Sequence, residues 1–164
     1  RAHPPRPEHS FDKKINRKER NLARASALAA VSVESTVRAR GHRFKEGLTL
    51  PVVIDDGMES MERTGDIINV LESLGVIADI ERARKGRHIR AGRGKMRGRR
   101  YRQPRSILLV ASEGSPLLIG ARNLPGVNTT TPKQINTEAL APGGDPGRLV
   151  VFTKKAFTSL GGEA

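Results

Sequence analysis

The chain has no cysteine and no tryptophan, and its aromatic side chains amount to one tyrosine and four phenylalanines in 164 residues. Without cysteine there are no disulfides and no thiolate-held zinc, a usage that agrees with a reducing compartment. With aromatics at 3%, a core must be built from Val, Ile, Leu and Ala, and a single-strand binding platform of successive stacked bases is not expected. No apolar run reaches the roughly 18 residues a membrane-spanning helix needs, so no membrane partner is expected. The opening RAHPPRPEHS has charge and proline but no apolar segment after it, unlike a signal peptide. It starts on Arg1 without methionine, as expected of a processed chain or a piece of a longer one. The length suits one domain with a real core.

One more absence matters most. Between Arg82 and Arg105, RARKGRHIRAGRGKMRGRRYRQPR, there is no carboxylate. The stretch carries Arg82, Arg84, Lys85, Arg87, Arg90, Arg93, Lys95, Arg97, Arg99, Arg100, Arg102 and Arg105. Setting those twelve aside leaves 18 cations against 17 carboxylates, so nearly all of the net charge of +13 sits here. Such a run repels itself and is poor in apolar residues, which predicts an irregular or mobile segment in the free protein. Its expected partner is a polyanion, because Arg and Lys that neutralise phosphates release condensed counterions. Gly86, Gly92, Gly94 and Gly98 are expected to let the backbone approach that partner closely. Tyr101, the lone aromatic inside the run, is a candidate for stacking on a base or ribose.

Taken in order, residues 1–14 read as an extended basic arm, with Pro4, Pro5 and Pro7 favouring extended backbone. A helix is predicted from Asn16, as N-cap with Glu19 in capping-box spacing, through about Val33. Its apolar seam is expected along Leu22, Ala25, Leu28 or Ala29, and Ser32 or Val33. Arg17, Lys18, Arg20 and Arg24 make its first turns basic, against the helix dipole, which suits phosphate contact better than helix stability. A second helix is predicted over 34–40, ending at Gly41. Strands are predicted at 51–54, 76–80, 106–111, 127–130 and 149–152, with helices over 61–74, 115–123 and 154–160. This alternation predicts an α/β fold: a three-layer α/β/α domain over 15–164 with a mostly parallel sheet of four to five strands. The 82–105 loop would then be an insertion between the second and third strands.

Catalytic signals are weak. Gly92-Arg93-Gly94-Lys95 has one residue between its glycines and Met96 after the lysine, so it is no phosphate loop of the Walker type. His3, His9, His42 and His88 show no metal-ligand spacing, and no metal or cofactor is expected. The turn from Ala141 to Gly147 reads as a rigid lead into the strand at Leu149, or as an anion cradle built from backbone amides. Asp55, Asp56, Glu59, Glu62 and Asp66 gather after the first strand, where α/β enzymes place magnesium ligands. That leaves an alternative function, a magnesium-dependent nucleic-acid-processing enzyme using Asp55, Asp56 and Glu59. The simpler reading gives Asp55 or Asp56 a helix-capping role.

Four segments, RAHPP at 1–5, KINRKERNLARASALAA at 14–30, GKMRGRRYRQPRSILLV at 94–110 and NTEALAPGGDPGRLVVFTKKAF at 136–157, carry a family resemblance. Through them the whole chain resembles the fourth protein of the large ribosomal subunit, the L-four family, in its archaeal and eukaryotic form. The resemblance implies an α/β/α domain seated on rRNA, with an extension reaching toward the peptide exit tunnel. It also implies neighbouring large-subunit proteins as partners, a place in the cytoplasmic ribosome, no small-molecule substrate and no catalysis. In the family RAHPP lies on the returning limb of the extension, so the tunnel-lining role is assigned to no residue of this chain. By similarity, Arg1, Arg6, Lys13, Lys14, Arg17 and Lys18 belong to the root of that extension, packed on rRNA. Arg84 to Arg105, with Tyr101, form the second rRNA contact.

Overall fold

The computed structural model describes residues 3–161. Residues 3–15 cross no helix or strand and are exposed throughout. Helix α1, Arg17–Val31, follows. Asn16 stands at its N-cap position, but no side-chain cap bond forms there among the described residues, so the expected capping box is not made. The buried face is also shifted. Ala27 and Val31, one turn apart, are covered, while Leu22 is 73% exposed. The reason is positional: α1 packs against α6 and α2 through its C-terminal half, and residues 17–23 stand clear in solvent. Helix α2, Glu34–Ala39, ends just before Gly41.

Strand β1, Val52–Ile54, leads through a 3₁₀ turn, Asp56–Ser60, to α3, Thr64–Ser73. Gly75, at φ +75°, turns the chain out of α3 as its position after the periodic run predicts. The segment expected as the second strand, 76–80, is instead the start of helix α4, Ile77–Lys85. Val76, Ile80 and Ala83 are buried at helical spacing, and the helix formers that follow carry the pattern on. A short β-branched run fits both periods, and here 3.6 prevails.

The basic stretch is correspondingly different from the irregular loop expected. Its first residues complete α4, and β2, His88–Ile89, pairs antiparallel with β3, Tyr101–Arg102. A 3₁₀ turn, Arg93–Met96, lies between them. Beyond it run β4 (Leu108–Val110), α5 (Leu117–Gly120), β5 (Asn128–Thr130), α6 (Thr137–Leu140), β6 (Val150–Thr153) and α7 (Lys154–Gly161). Among the described residues the main sheet has four strands in the order β1-β6-β4-β5, all parallel, so the fold is α/β.

Both faces of the sheet are covered, because alternate residues of its central strands point opposite ways. Ile107, Leu109, Leu149 and Val151 meet Ile67 and Leu71 of α3 and Ile80 of α4. Leu108, Val110, Val150 and Phe152 meet Ala27 and Val31 of α1, Leu140 of α6 and Ala156 of α7. The strands β4 and β6 are buried at every residue, which explains their unbroken apolar sequences.

Candidate nucleic-acid interface

The basic hairpin grows from a buried polar clasp. Asp79, on the inner face of α4, is 0% exposed. Its Oδ1 accepts the Arg82 Nε–H at 2.8 Å and the Arg43 backbone N–H at 3.1 Å. Its Oδ2 accepts the Ser106 hydroxyl at 2.8 Å and lies 2.9 Å from His42 Nδ1, which donates to it. Burial alone would raise this carboxyl, but the hydrogen bonds from His42, Arg82 and Ser106 prevail and hold it at about 2. Arg82 also donates from its second terminal nitrogen to the Arg105 carbonyl at 2.8 Å. The two limbs of the basic stretch are therefore tied together where it leaves and re-enters the domain.

A second clasp lies alongside. The fully buried Arg148 guanidinium donates to the carbonyls of Ser106, at 2.9 Å, and of Ala139, at 2.8 Å, and to Asn128 Oδ1 at 2.8 Å. Asn128 Oδ1 also accepts from Arg105 at 3.1 Å. Burial, with Arg105 and Arg40 close by, lowers the Arg148 pKa. Arg40 itself donates to the carbonyls of Pro142, at 2.6 Å, and Asp145. The turn after Ala141 thus presents carbonyls to a cation, which fits the structural reading of that turn and not the anion cradle.

Beyond the clasps the cations are turned outward. Arg84, Arg87, Arg93, Lys95, Arg97, Arg99, Arg100 and Arg102 are exposed and form no ion pair among the described residues. Lys85 reaches only the exposed Glu81, at 3.8 Å, a contact worth little in water. Arg90, partly exposed, helps to hold the hairpin: its backbone N–H donates to the Arg100 carbonyl at 2.8 Å and its Nε–H to that of Arg99 at 3.2 Å. Tyr101 is half-exposed with the Arg87 guanidinium over its ring, 4.2 Å from the centroid, and Arg100 at 5.8 Å. Gly86 approaches Pro104, not an outside partner: a Cβ there would lie 2.7 Å from the proline ring.

In the arm, Arg6, Lys13, Lys14, Arg17 and Lys18 are exposed, and Arg1 lies outside the described residues. His9 and Phe11 pack edge to face at 4.7 Å.

Two of the acidic residues after β1 serve the fold. Asp56 Oδ1 accepts the Lys155 N–H at 2.8 Å, at the start of α7. Glu59 Oε1 accepts the Ser112 N–H at 2.9 Å and the Thr153 hydroxyl at 2.6 Å. Burial opposes ionisation of Glu59, but these bonds outweigh it and lower its pKa. Asp55 is exposed and makes no side-chain cap bond at the 3₁₀ turn it precedes. Among the described residues, no three His, Asp or Glu side chains are placed to hold a metal, and no helix is long and apolar enough to cross a membrane.

Asp79, His42 and Arg148 were not marked by sequence reasoning, since one acid in a helix or one Arg before a strand carries no signal of burial. Arg122 and Asn123, on the turn after α5, were missed as well. They line a cleft with Arg84, Arg87, Tyr101 and Arg105, yet lie far from the charge run in sequence.

The sequence model of the Ribosomal protein L4/L1 family matches residues 1–163. The chain is 52% identical over 159 residues to "Large ribosomal subunit protein uL4" of Thermoplasma acidophilum, covering 97% of this chain and 62% of that protein. It is 50% identical to proteins of the same name from Halorubrum lacusprofundi and Archaeoglobus fulgidus, covering 97% and 98% of this chain and 63% of each relative. The chain therefore spans a little under two thirds of the length of these relatives.

Proposed function

The chain belongs to the ribosomal protein L4/L1 family, and from that premise we propose that it is a structural constituent of the large ribosomal subunit. It binds rRNA through the basic hairpin and the N-terminal arm, and it supports subunit assembly and the exit-tunnel region. The observation that carries this reading is the outward set Arg84, Arg87, Arg93, Lys95, Arg97, Arg99, Arg100 and Arg102, exposed and without acidic partners among the described residues, on a hairpin anchored by the Asp79 clasp. Unpaired cations on an anchored support suit phosphates, which give affinity without sequence choice.

Arg6, Lys13, Lys14, Arg17 and Lys18 form the second anchor. Cations crowding the first turn of α1 weaken the helix, and phosphates beside them would remove that repulsion. Residues 25–81 carry five cations against ten carboxylates, an opposite surface suited to basic neighbours among the large-subunit proteins. The place of work is the cytoplasmic ribosome. The magnesium-enzyme alternative has no support, since Asp56 and Glu59 are engaged as acceptors within the fold.

Sedimentation tests the proposal. The chain should travel with large subunits through a high-salt wash, while the variant with Arg97, Arg99, Arg100 and Arg102 changed to Gln is released. A chain that stays at the top of the gradient with subunits present would refute it.

A further inference from the structure

Beside the hairpin root lies a cleft of about 540 Å³, within the range of small-ligand sites. Its chemistry is more selective than a charged surface requires. Arg84, Arg87, Arg105 and Arg122 converge on it, and no carboxylate lines it. Arg84, Arg87 and Arg122 form no ion pair among the described residues. Arg105 uses one terminal nitrogen on Asn128 and keeps further N–H donors.

Two features suit a base. The Arg87 guanidinium, 4.2 Å from the Tyr101 centroid, makes a cation–π pair, and a guanidinium plane held on a ring is a surface on which a nucleobase stacks. The Asn123 side-chain amide carries donors and an acceptor together, as the edge of a base demands. Among the described residues it shows no hydrogen bond that would occupy it.

The walls are built in advance. Gly126, at φ +74°, packs so closely that a Cβ would lie 2.6 Å from the Pro104 carbonyl oxygen and 2.8 Å from Ala83 Cβ. Gly86 closes on the other flank of Pro104, and the Ser106 N–H donates to the Gly126 carbonyl at 2.8 Å. Two glycines pressed on one proline leave the cleft little freedom to collapse, and preorganisation favours a bound ligand.

We propose that this cleft takes one unpaired nucleotide of the bound RNA. The phosphate rests on Arg84, Arg105 and Arg122, and the base stacks on the Arg87–Tyr101 pair with its edge toward Asn123. This rests on the RNA reading above and adds to it a single point of base recognition in an interface that otherwise meets phosphates. It also gives a role to Arg122 and Asn123, which no charge run marks.

Labelled RNA hairpins test it with the full chain. One set carries a single bulged A, C, G or U, and the control is the same stem fully paired. The chain should prefer at least one bulged hairpin by roughly tenfold over the paired stem. Asn123→Ala should erase that preference while paired-stem affinity stays within about twofold, since Asn123 carries no charge and lies outside the cation set that meets phosphates. Asn123 is exposed, so the variant should fold. Equal binding of bulged and paired stems by the parent chain would overturn the cleft proposal and leave the rRNA reading standing. Binding of neither would overturn both.

Discussion

Ser106 donates its hydroxyl to Asp79 Oδ2 at 2.8 Å, and that one buried contact joins the helix entering the basic hairpin to the segment leaving it. Twelve cations in 24 residues oppose any compact arrangement. A single carboxylate at their root, shared with Arg82 and His42, holds both limbs while the outward cations stay unpaired.

Replacing Asp79 with Asn should therefore be costly. It removes the charge and turns one of the two acceptor oxygens into a donor, so either the Arg82 Nε–H or the buried His42 ring loses its acceptor. Breaking one partner out of a buried pair lowers stability by about 3–5 kcal/mol. Urea unfolding followed by circular dichroism measures this. A loss below about 1 kcal/mol would mean that the clasp does not organise the root.

Acid should act through the same carboxylate. Asp79 is held at about 2, below its ordinary 3.8, and Glu59 is also lowered from 4.5. A carboxyl lowered on folding adds stability that is fully present above its unfolded pKa and lost as pH falls through the folded one. Stability should be level above about pH 5 and fall between about pH 4 and 2. The Asp79→Asn protein should show a much shallower fall. An equal acid slope in both proteins would assign the effect to other groups.

Gly126→Ala tests the packing beneath the cleft. The left-handed backbone alone costs about 1–2 kcal/mol for a residue with a Cβ, and the contact with the Pro104 carbonyl adds to it. Thermal melts should show a clear drop. Gly114→Ala, also at positive φ (+79°) but with open space around the missing Cβ, should show only the backbone part. Equal losses at both sites would contradict the close packing at Gly126.

The acidic residues separate into structural and solvent groups. Glu59→Ala removes the acceptor of the Ser112 N–H and the Thr153 hydroxyl and should destabilise by about 1–3 kcal/mol. Asp56→Ala should lose about 1 kcal/mol as the start of α7 loses its cap. Asp55→Ala, Glu62→Ala and Asp66→Ala should leave both stability and RNA affinity nearly unchanged. Loss of RNA binding in folded Asp55→Ala protein would bring back the magnesium reading.

Much of this organisation was legible in the residues. The buried strands β4 and β6 announced themselves as unbroken apolar runs, and Gly75 marked the end of α3 by position. The run from Val76 to Ile80 reads as a strand and folds as a helix because five residues with three β-branched side chains satisfy either period, and only the burial of Ile80 and Ala83 against the rest of the domain decides. The hairpin was hidden for a different reason. Composition speaks of charge repulsion, whereas β2 and β3 are held by backbone bonds such as Arg90 N–H to the Arg100 carbonyl, which any sequence can make. Arg82, one more cation of the run by sequence, makes hydrogen bonds within the fold at the hairpin root, and the exposed Arg105 bonds Asn128 through one terminal nitrogen there. Their roles depend on Asp79 and Asn128, partners too distant in sequence for local patterns to reveal.

The salt dependence of binding to large-subunit rRNA tests the central claim most directly. If about six outward cations meet phosphates, affinity should fall on the order of a thousandfold between about 50 and 200 mM salt. With Arg97, Arg99, Arg100 and Arg102 changed to Gln, binding should weaken strongly and the slope should drop by about three to four. Deleting residues 1–12 should weaken binding less, and the two losses should not simply add, because two anchors on one RNA raise each other's effective concentration. A flat salt response in the parent chain, or an unchanged slope in the four-arginine variant, would contradict an interface made of hairpin cations and phosphates.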